Sequence, residues 1–322
     1  MERSVAIQGD NLDSLELTSD TSLFIGSGLY ADGYKVFWYH PKALKYENDK
    51  FIATGRYIKV FYNQVIEYEI DSDEVDVNLE SFSCIMIRQN PPVDMKYIAS
   101  THILSLLQER NPKILFINNP NVVRDNVEKL LPISIAKTLQ NNEIVPPTLI
   151  SGDYGAIKEF LAAQQHIVIK PIYGYGGDDV IQVKSGEESK ILEYLGQQKD
   201  MQVISQKFLQ EIYDGCKRVI TCDDEIIGTF VRVAAKDSFL TNSRAGSTIH
   251  KSDLTPQQHN ICIEVAKELK RRDIFFAGLD LIGDFITEIN ITSPSGLIPL
   301  VQNNGMHSVK RFFDNIKEKI MN

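Results

Sequence analysis

Asp280, Glu288 and Asn290 are spaced to share one face of a β-hairpin, where two carboxylates and an amide oxygen would suit a hard cation such as Mg²⁺. Two apolar runs, 274–282 and 285–291, flank Gly283-Asp284, a turn dipeptide of the kind that joins antiparallel strands. Side chains alternate along a strand, so Glu288 and Asn290 project to one side. A three-residue loop over 283–285 would set Asp280 opposite Glu288 on that side. Mg²⁺ takes only one or two protein carboxylates and fills its other positions with water and phosphate oxygens, so a nucleotide phosphate is the missing partner. By spacing alone, a solvated hairpin with scattered acids is the commoner outcome.

Other residues add weight to the phosphate reading. Lys170 ends the apolar run HIVIK, where a lysine can lay its ammonium on phosphates emerging beside a sheet. Gly174, Gly176 and Gly177 follow at once, and the N–H groups of such a run can cradle phosphate oxygens. Gly-x-Gly-Gly alone is more often a turn, but beside Lys170 and the acidic hairpin the phosphate loop is the better reading. Arg88, Arg218 and Arg232 each end or interrupt an apolar strand, where a guanidinium can take a carboxylate or phosphate bidentately. An isolated arginine is usually on the surface, and so is a helical lysine, the plain reading of Lys129 in RDNVEKL. Ser293-Pro294-Ser295-Gly296 offers hydroxyls and N–H groups to a carboxylate, or is simply a turn.

The elements that must position these residues alternate between strand and helix. Strands are expected at 5–8 and 36–39 around a helix at 21–31, then hairpin strands over 51–70 and a solvated acidic edge over 67–80. A short strand at 84–87 leads to Arg88 and the Pro91-Pro92 break. Met95, Ile98, Ala99, Ile103 and Leu106 then mark the buried face of a helix. A strand at 114–117 closes the first domain, with a boundary at Asn118-Asn119-Pro120. Further strands are expected at 167–172, 180–183, 219–222 and 226–233, with a helix at 187–195. Thr255, Pro256 and Gln258 form a capping box opening a helix that buries Ile261 or Cys262, Val265, Ala266 and Leu269. The pattern is α/β followed by α+β.

The segment GLDLIGDFITEINITSPSG resembles the metal-binding end of the prokaryotic glutathione synthetases, members of the ATP-grasp superfamily. Four further blocks resemble that family in the same order: IRQNPPVD at 87–94, NNPNVVRDNVEKL at 118–130, IVIKPIYGYGGDDV at 167–180 and SQKFLQEIYDGCKRV at 205–219. SDTSLFIGSGLYADGYKV is similar more loosely. The resemblance implies an ATP-grasp fold: an N-terminal α/β (pre-ATP-grasp) domain over 1–118, then an ATP-grasp domain over 119–322 with lobes of about 119–205 and 206–322 and a lid near 233–252. It implies an ATP-dependent carboxylate–amine ligase that joins γ-glutamylcysteine to glycine through an acyl phosphate, with Mg²⁺, or Mn²⁺ in its place, on Asp280, Glu288 and Asn290. It also implies a homo-oligomer. Lys129, Lys170 and the glycines at 174, 176 and 177 would contact ATP phosphates. Gln206, Lys207, Phe208 and Leu209 would bind adenine, the backbone at 207–209 pairing the base edge and Phe208 or Leu209 covering its face. Arg218 and Arg232 would face the ATP phosphates and the acyl phosphate, while Arg88, Ser293, Pro294 and Ser295 would face the peptide substrate. Asn242 and Gly246 fit an N-x-x-x-G segment of the lid.

The chain departs from the family pattern at several places. Cys216 replaces a frequent acid, leaving Glu211 or Asp214 for the ribose; Tyr173 replaces an acid before the glycine run. Gln89-Asn90 stands for Lys-Asp, and Leu240, Ser247 and Thr248 stand for other lid residues. Two rivals follow: another ATP-grasp ligase acting on a different peptide or protein tail, and a non-catalytic nucleotide-binding scaffold. The scaffold would need neither the metal ligands nor the phosphate lysines.

Composition excludes other classes. A net charge of −9 argues against a general binder of nucleic acid or anionic membranes. The six histidines show no zinc-site spacing, and the four cysteines form no CxxC pair, as expected of a reducing cytosol. The first residues lack a signal-peptide pattern and no apolar run is long enough to span a membrane, so a cytoplasmic protein is expected. No Ser-His-Asp or Cys-His arrangement needs explaining.

Overall fold

The computed structural model describes residues 3–177, 179–198, 201–236, 238–241 and 246–321, arranged as three sheets with helices packed between and around them. The first sheet contains β1 (Ser4–Gln8), β2 (Lys35–Glu47), β3 (Lys50–Asn63), β4 (Val65–Ile70), β5 (Val75–Asn78), β6 (Cys84–Ile87) and β7 (Leu115–Ile117). Its order is β4-β3-β2-β1-β6-β7, with β5 paired to β3. β1 pairs in parallel with both β2 and β6, so the chain winds one way from β1 and later returns to its other side. The carboxyl ends of β1 and β6 thus form a switch point of the kind where α/β sheets place functional residues, and Arg88 leaves β6 there. The acidic stretch is less of a loop than expected, because Val75, Asp76, Val77 and Asn78 pair with β3 as a short strand.

The second sheet is antiparallel, β10-β9-β11-β8, built from β8 (Thr148–Ser151), β9 (His166–Pro171), β10 (Ile181–Lys184) and β11 (Val203–Lys207). The third, also antiparallel, runs β14-β13-β12-β15-β16 from β12 (Cys216–Cys222), β13 (Glu225–Val233), β14 (Thr248–Lys251), β15 (Phe276–Ile282) and β16 (Phe285–Asn290). Lys170 near the end of β9 and the acidic pair on β15 and β16 are therefore carried by different sheets.

Local chemistry starts the helices where the sequence predicts. α1 (Thr21–Ala31) begins at Asp20, whose carboxylate accepts the Leu23 N–H at 2.7 Å. The helix Pro256–Arg271 opens on the Thr255–Gln258 capping box and buries Cys262, Val265, Ala266 and Leu269. α2 (Met95–Arg110) corrects the expected face: Met95 and Leu106 are exposed, while Tyr97, Ser100, Thr101, Leu104, Ser105 and Leu107 are buried. The hydroxyls of Ser100, Thr101 and Ser105 each donate to a carbonyl one turn back, so these polar residues enter the core satisfied. Hydrophobic periodicity alone cannot see that face.

Two features tie the N-terminal sheet to the rest. Phe312, Phe313 and Ile316 of the last helix, Lys310–Met321, share one core with Leu23, Phe24 and Leu29 of α1. Gly28 permits the approach, since a Cβ there would stand 2.2 Å from the Phe313 ring. The second tie is Asn118, just after β7 and buried. Its amide donates to the carbonyls of Phe276 and Ile291, both at 2.7 Å, and its oxygen accepts the N–H groups of Phe275 and Phe276 at 3.0 and 2.8 Å. Asn118 thereby holds both outer ends of the β15–β16 hairpin. Asn118→Leu would orphan four buried backbone groups and is expected to lower unfolding free energy by about 3 kcal/mol, read from urea denaturation; a loss within about 0.5 kcal/mol would reject this account of the tie. No described helix is long and apolar enough to cross a membrane.

Candidate active site

The hairpin brings its acids together by a route other than the expected one. Ile282 pairs directly with Phe285, so the turn is two residues, Gly283-Asp284, not three. The register then shifts: Leu281 faces Ile286, but Asp280 faces Glu288, leaving Thr287 as a bulged extra residue. The bulge restores the offset that the shorter turn removes. It also turns the Thr287 carbonyl outward, where it accepts the Lys170 ammonium at 3.3 Å.

Asp280 is held on several sides. Arg218 donates bidentately, Nε to Oδ1 at 2.7 Å and Nη2 to Oδ2 at 2.9 Å, and Arg232 Nη2 adds a third bond to Oδ1 at 2.5 Å. Asn290 Nδ2 donates to Oδ2 at 3.2 Å, which leaves the Asn290 amide oxygen turned from this contact. Burial pushes the Asp280 carboxyl up, but the two arginines outweigh it and hold the group down at about 2. Glu288 has no arginine. Burial and the Asp280 charge raise it, only partly offset by Lys129 and Lys170. Negative charge at Glu288 is thus under-compensated, which is the condition a divalent cation would relieve, and the oxygen donors Asp280, Glu288 and Asn290 suit Mg²⁺. Among the described residues no three His, Cys, Asp or Glu side chains gather to hold a metal, so the candidate set is two carboxylates and one amide.

The cations around this pair are buried, against the plain reading of surface lysines and arginines. Lys129, Lys170 and Arg218 are 7%, 8% and 5% exposed. Lys129 lies in the turn before α4 (Leu131–Thr138), which follows α3 (Pro120–Asp125), and its ammonium donates to the Pro171 carbonyl at 3.0 Å. Gly174 is needed beside it: a Cβ there would stand 2.9 Å from Pro171 Cγ and 3.1 Å from Lys129 Nζ. Burial lowers Lys129, and burial together with the Lys129 charge lowers Lys170 to about 8 despite Glu288 and Asp280. Arg232 Nε is buried with no acceptor among the described residues. An orphaned guanidinium donor beside two desolvated ammoniums fits an anion such as a phosphate.

Apart from Lys129, which lines an adjoining cavity, these groups line one end of a cavity of about 420 Å³, between the second and third sheets. Gly176, Gly177, Lys170, Arg218, Arg232, Asp280, Glu288, Asn290 and the 293–295 segment form its polar end. Val168, Phe208, Leu209, Ile212, Cys216, Phe239 and Ile282 form its apolar end. Phe208 stacks on His166, ring centroids 4.0 Å apart and 11° from parallel. The backbone edge offered to a base is narrower than expected, because Lys207 N–H donates to Pro147 O and Phe208 N–H to His166 O, both at 3.0 Å. Leu209 carries the remaining N–H of that stretch.

Cys216 sits in this wall, 3.8 Å from Arg232 Nη2, and burial pushes its thiol up to about 11, so it stays a neutral thiol there. Glu211 and Asp214, the ribose candidates, are exposed in the turn 210–214 and do not line the cavity. Arg88 does not line it either. Its guanidinium is buried behind the 293–295 segment, donating to Ser22 Oγ at 3.1 Å and to the Pro294 carbonyl at 2.9 Å. Asn242 lies outside the described residues, while Phe239, Leu240 and Thr241 of the lid region do face the cavity. Sequence reasoning missed Glu128, whose carboxylate accepts from the Ile291 and Thr292 N–H groups and the Thr292 hydroxyl. Its adjacency to Lys129 was the only signal.

Comparison with known proteins agrees with this geometry. Residues 4–124 match the family described as prokaryotic glutathione synthetase, N-terminal domain, and residues 133–305 match prokaryotic glutathione synthetase, ATP-grasp domain. The glutathione synthetase of Agrobacterium fabrum is 32% identical over 319 residues, covering 98% of this chain and 97% of that protein. That of Anaplasma centrale is 32% identical over 303 residues, covering 94% and 92%. Among solved structures, a Chryseobacterium gregarium RiPP-associated ATP-grasp ligase in complex with ADP and a leader and core peptide aligns with a TM-score of 0.65 at 14% identity, covering 100% of this chain and 97% of that one. A D-cycloserine synthetase aligns equally well, TM-score 0.65 at 14% identity over 98% and 99%. At that identity the likeness is one of fold.

Proposed function

The chain belongs to the prokaryotic glutathione synthetase family of the ATP-grasp superfamily, and we propose that its long cavity holds ATP with the reacting phosphate over the Asp280–Glu288 pair. The protein is an ATP-dependent ligase that forms glutathione. In our reading it joins γ-glutamylcysteine to glycine. A carboxylate oxygen of the dipeptide attacks the γ-phosphorus and the bond to ADP breaks; the glycine nitrogen then attacks the acyl carbon and phosphate leaves. Such chemistry needs positioning and charge neutralisation more than a covalent nucleophile.

The observation that carries the assignment is the division of the cavity into an apolar, aromatic end and an end where buried cations meet the acidic hairpin. Adenine would lie against Val168, Phe208, Leu209 and Ile282, with Gln206 behind them and Lys207 at the rim. The phosphates would meet Lys129, Lys170 and the N–H groups of Gly176 and Gly177, with Gly174 keeping room for Lys129. Asp280, Glu288 and Asn290 would hold Mg²⁺, or Mn²⁺ through the same oxygen donors, which would withdraw charge from the phosphate oxygens. Arg218 and Arg232 would face the acyl phosphate, and Ser293, Pro294 and Ser295 would receive the peptide, kept in place by Arg88 from behind. The lid over 233–252, of which Phe239, Leu240 and Thr241 line the cavity, would close over the site and exclude water. On the family precedent the working form is a homo-oligomer, to be read from light scattering.

Phosphate release with ATP, Mg²⁺, γ-glutamylcysteine and glycine, omitting each in turn, tests the reading. It requires release to depend on all four, with the tripeptide seen by mass spectrometry. Release without glycine would mean that the acyl phosphate leaks to water and that the acceptor is another amine. No release despite ATP binding would overturn the choice of dipeptide.

A further inference from the structure

We infer that Glu128 receives the proton that the acceptor amine must lose before it attacks, an inference that rests on the ligase reading above. Three carboxylates line the main cavity among the described residues: Glu128, Asp280 and Glu288. Asp280 is clamped by its two arginines, and Asp280 and Glu288 are both assigned to the metal. Glu128 is differently placed. Its Oε1 accepts the N–H groups of Ile291 and Thr292 at 2.7 and 2.9 Å and the Thr292 hydroxyl at 2.8 Å. Its main-chain carbonyl accepts the Ile289 N–H at 3.0 Å. The residue is thus fixed at both ends, while Oε2 takes no hydrogen bond among the described residues. A carboxylate with one oxygen anchored and the other open is an oriented proton acceptor.

Its position suits that task. Glu128 walls both the main cavity and an annex of about 290 Å³, which also share Pro91, Tyr175 and Thr292. The annex has room for a small amino acid. Asp179 borders the annex but not the main cavity, and no described histidine lines either. Glu128 therefore stands where an amine entering from the annex would meet an acyl phosphate formed over the hairpin.

The proton balance is simple. The acceptor arrives as an ammonium, whose nitrogen has no free electron pair. One proton passes to Glu128 Oε2, and the freed pair forms the C–N bond to the acyl carbon. The C–O bond to phosphate breaks with its electrons on the phosphate oxygen, and that phosphate takes the second proton shed by nitrogen as the amide forms. Glu128 then returns its proton to water.

Two acceptors separate this role from a structural one. Glycine must lose a proton before attack, whereas hydroxylamine is uncharged at neutral pH and needs no such step. Glu128→Gln keeps an oxygen for the three donors but cannot take a proton. It is expected to lower kcat with glycine about 100-fold, while hydroxamate formation from hydroxylamine falls by less than about fivefold. Thr292→Val removes the staple and keeps the carboxylate, and is expected to lower both rates in proportion. If Glu128→Gln lowers both rates alike, or spares glycine, Glu128 only staples the hairpin and the inference is overturned. If the wild-type protein makes hydroxamate but no peptide with glycine, the choice of acceptor falls, and the inference falls with it.

Discussion

Asp280→Asn is expected to cost about 10³-fold in turnover and, in the same molecule, about 3 kcal/mol of stability, whereas Glu288→Gln should lose comparable turnover and keep the fold. Both substitutions remove a candidate metal ligand, so both should fail in the phosphate-release assay. Their metal-free stabilities should differ because their partners differ. Asp280 is the counter-charge of Arg218 and Arg232, and its loss leaves two buried guanidiniums facing an amide. Its folded-state value of about 2 lies below the ordinary 3.8, so its stabilisation is present above the unfolded value and is lost as pH falls through about 2. Glu288 is raised by burial and by Asp280, which reverses the sign. Ionising it costs the folded state, so metal-free stability should fall as pH rises from 4.5 through its raised value, and glutamine removes that cost. Urea denaturation of the two variants without metal or nucleotide separates them. Equal losses in both would mean that the arginine clamp does not hold Asp280 as described.

The readable parts of this protein are those whose signal is local. Helix α1 falls on the expected residues because Asp20 caps it and apolar side chains fill it. The acids of the hairpin are readable because alternation fixes faces whatever the turn. The turn is one residue shorter than the spacing suggests, and Asp280 still pairs with Glu288 because the Thr287 bulge compensates. What was hidden depends on partners distant in sequence. Asn118 bonds to residues 157 to 173 positions away, and Glu128 to residues 163 and 164 away. A lone polar side chain carries no mark of such a partner. Arg88 shows the same limit, since its residue type suggests an open anion site while the fold turns it to the back of the 293–295 segment. The buried face of α2 was hidden for another reason: its serines and threonine satisfy themselves within the helix.

Lys170→Met is expected to abolish measurable ligation, a loss of about 10³-fold or more, while making the empty protein more stable at pH 7. The two assays have opposite signs because the lysine is buried. Lys170 is 8% exposed, its ammonium has the Thr287 carbonyl at 3.3 Å as acceptor, and Lys129 adds like charge. Its value of about 8 in the folded chain lies below the ordinary 10.5. Between those values the unfolded chain binds more protons than the folded one, so wild-type stability should rise with pH across that window. At pH 7 the charged lysine costs up to about 3 kcal/mol, which methionine, similar in length and uncharged, does not incur. The variant's advantage should therefore shrink as pH climbs from 8 toward 10.5. Bound nucleotide should reverse the comparison, since phosphates supply the missing counter-charge and stabilise the wild type by mass action but the variant much less. Thermal unfolding of both proteins at several pH values, with and without ATP, reads all of this in one experiment. A variant less stable than wild type at pH 7 without nucleotide would show that Lys170 is compensated within the empty site, and that its charge is not held in reserve for a phosphate.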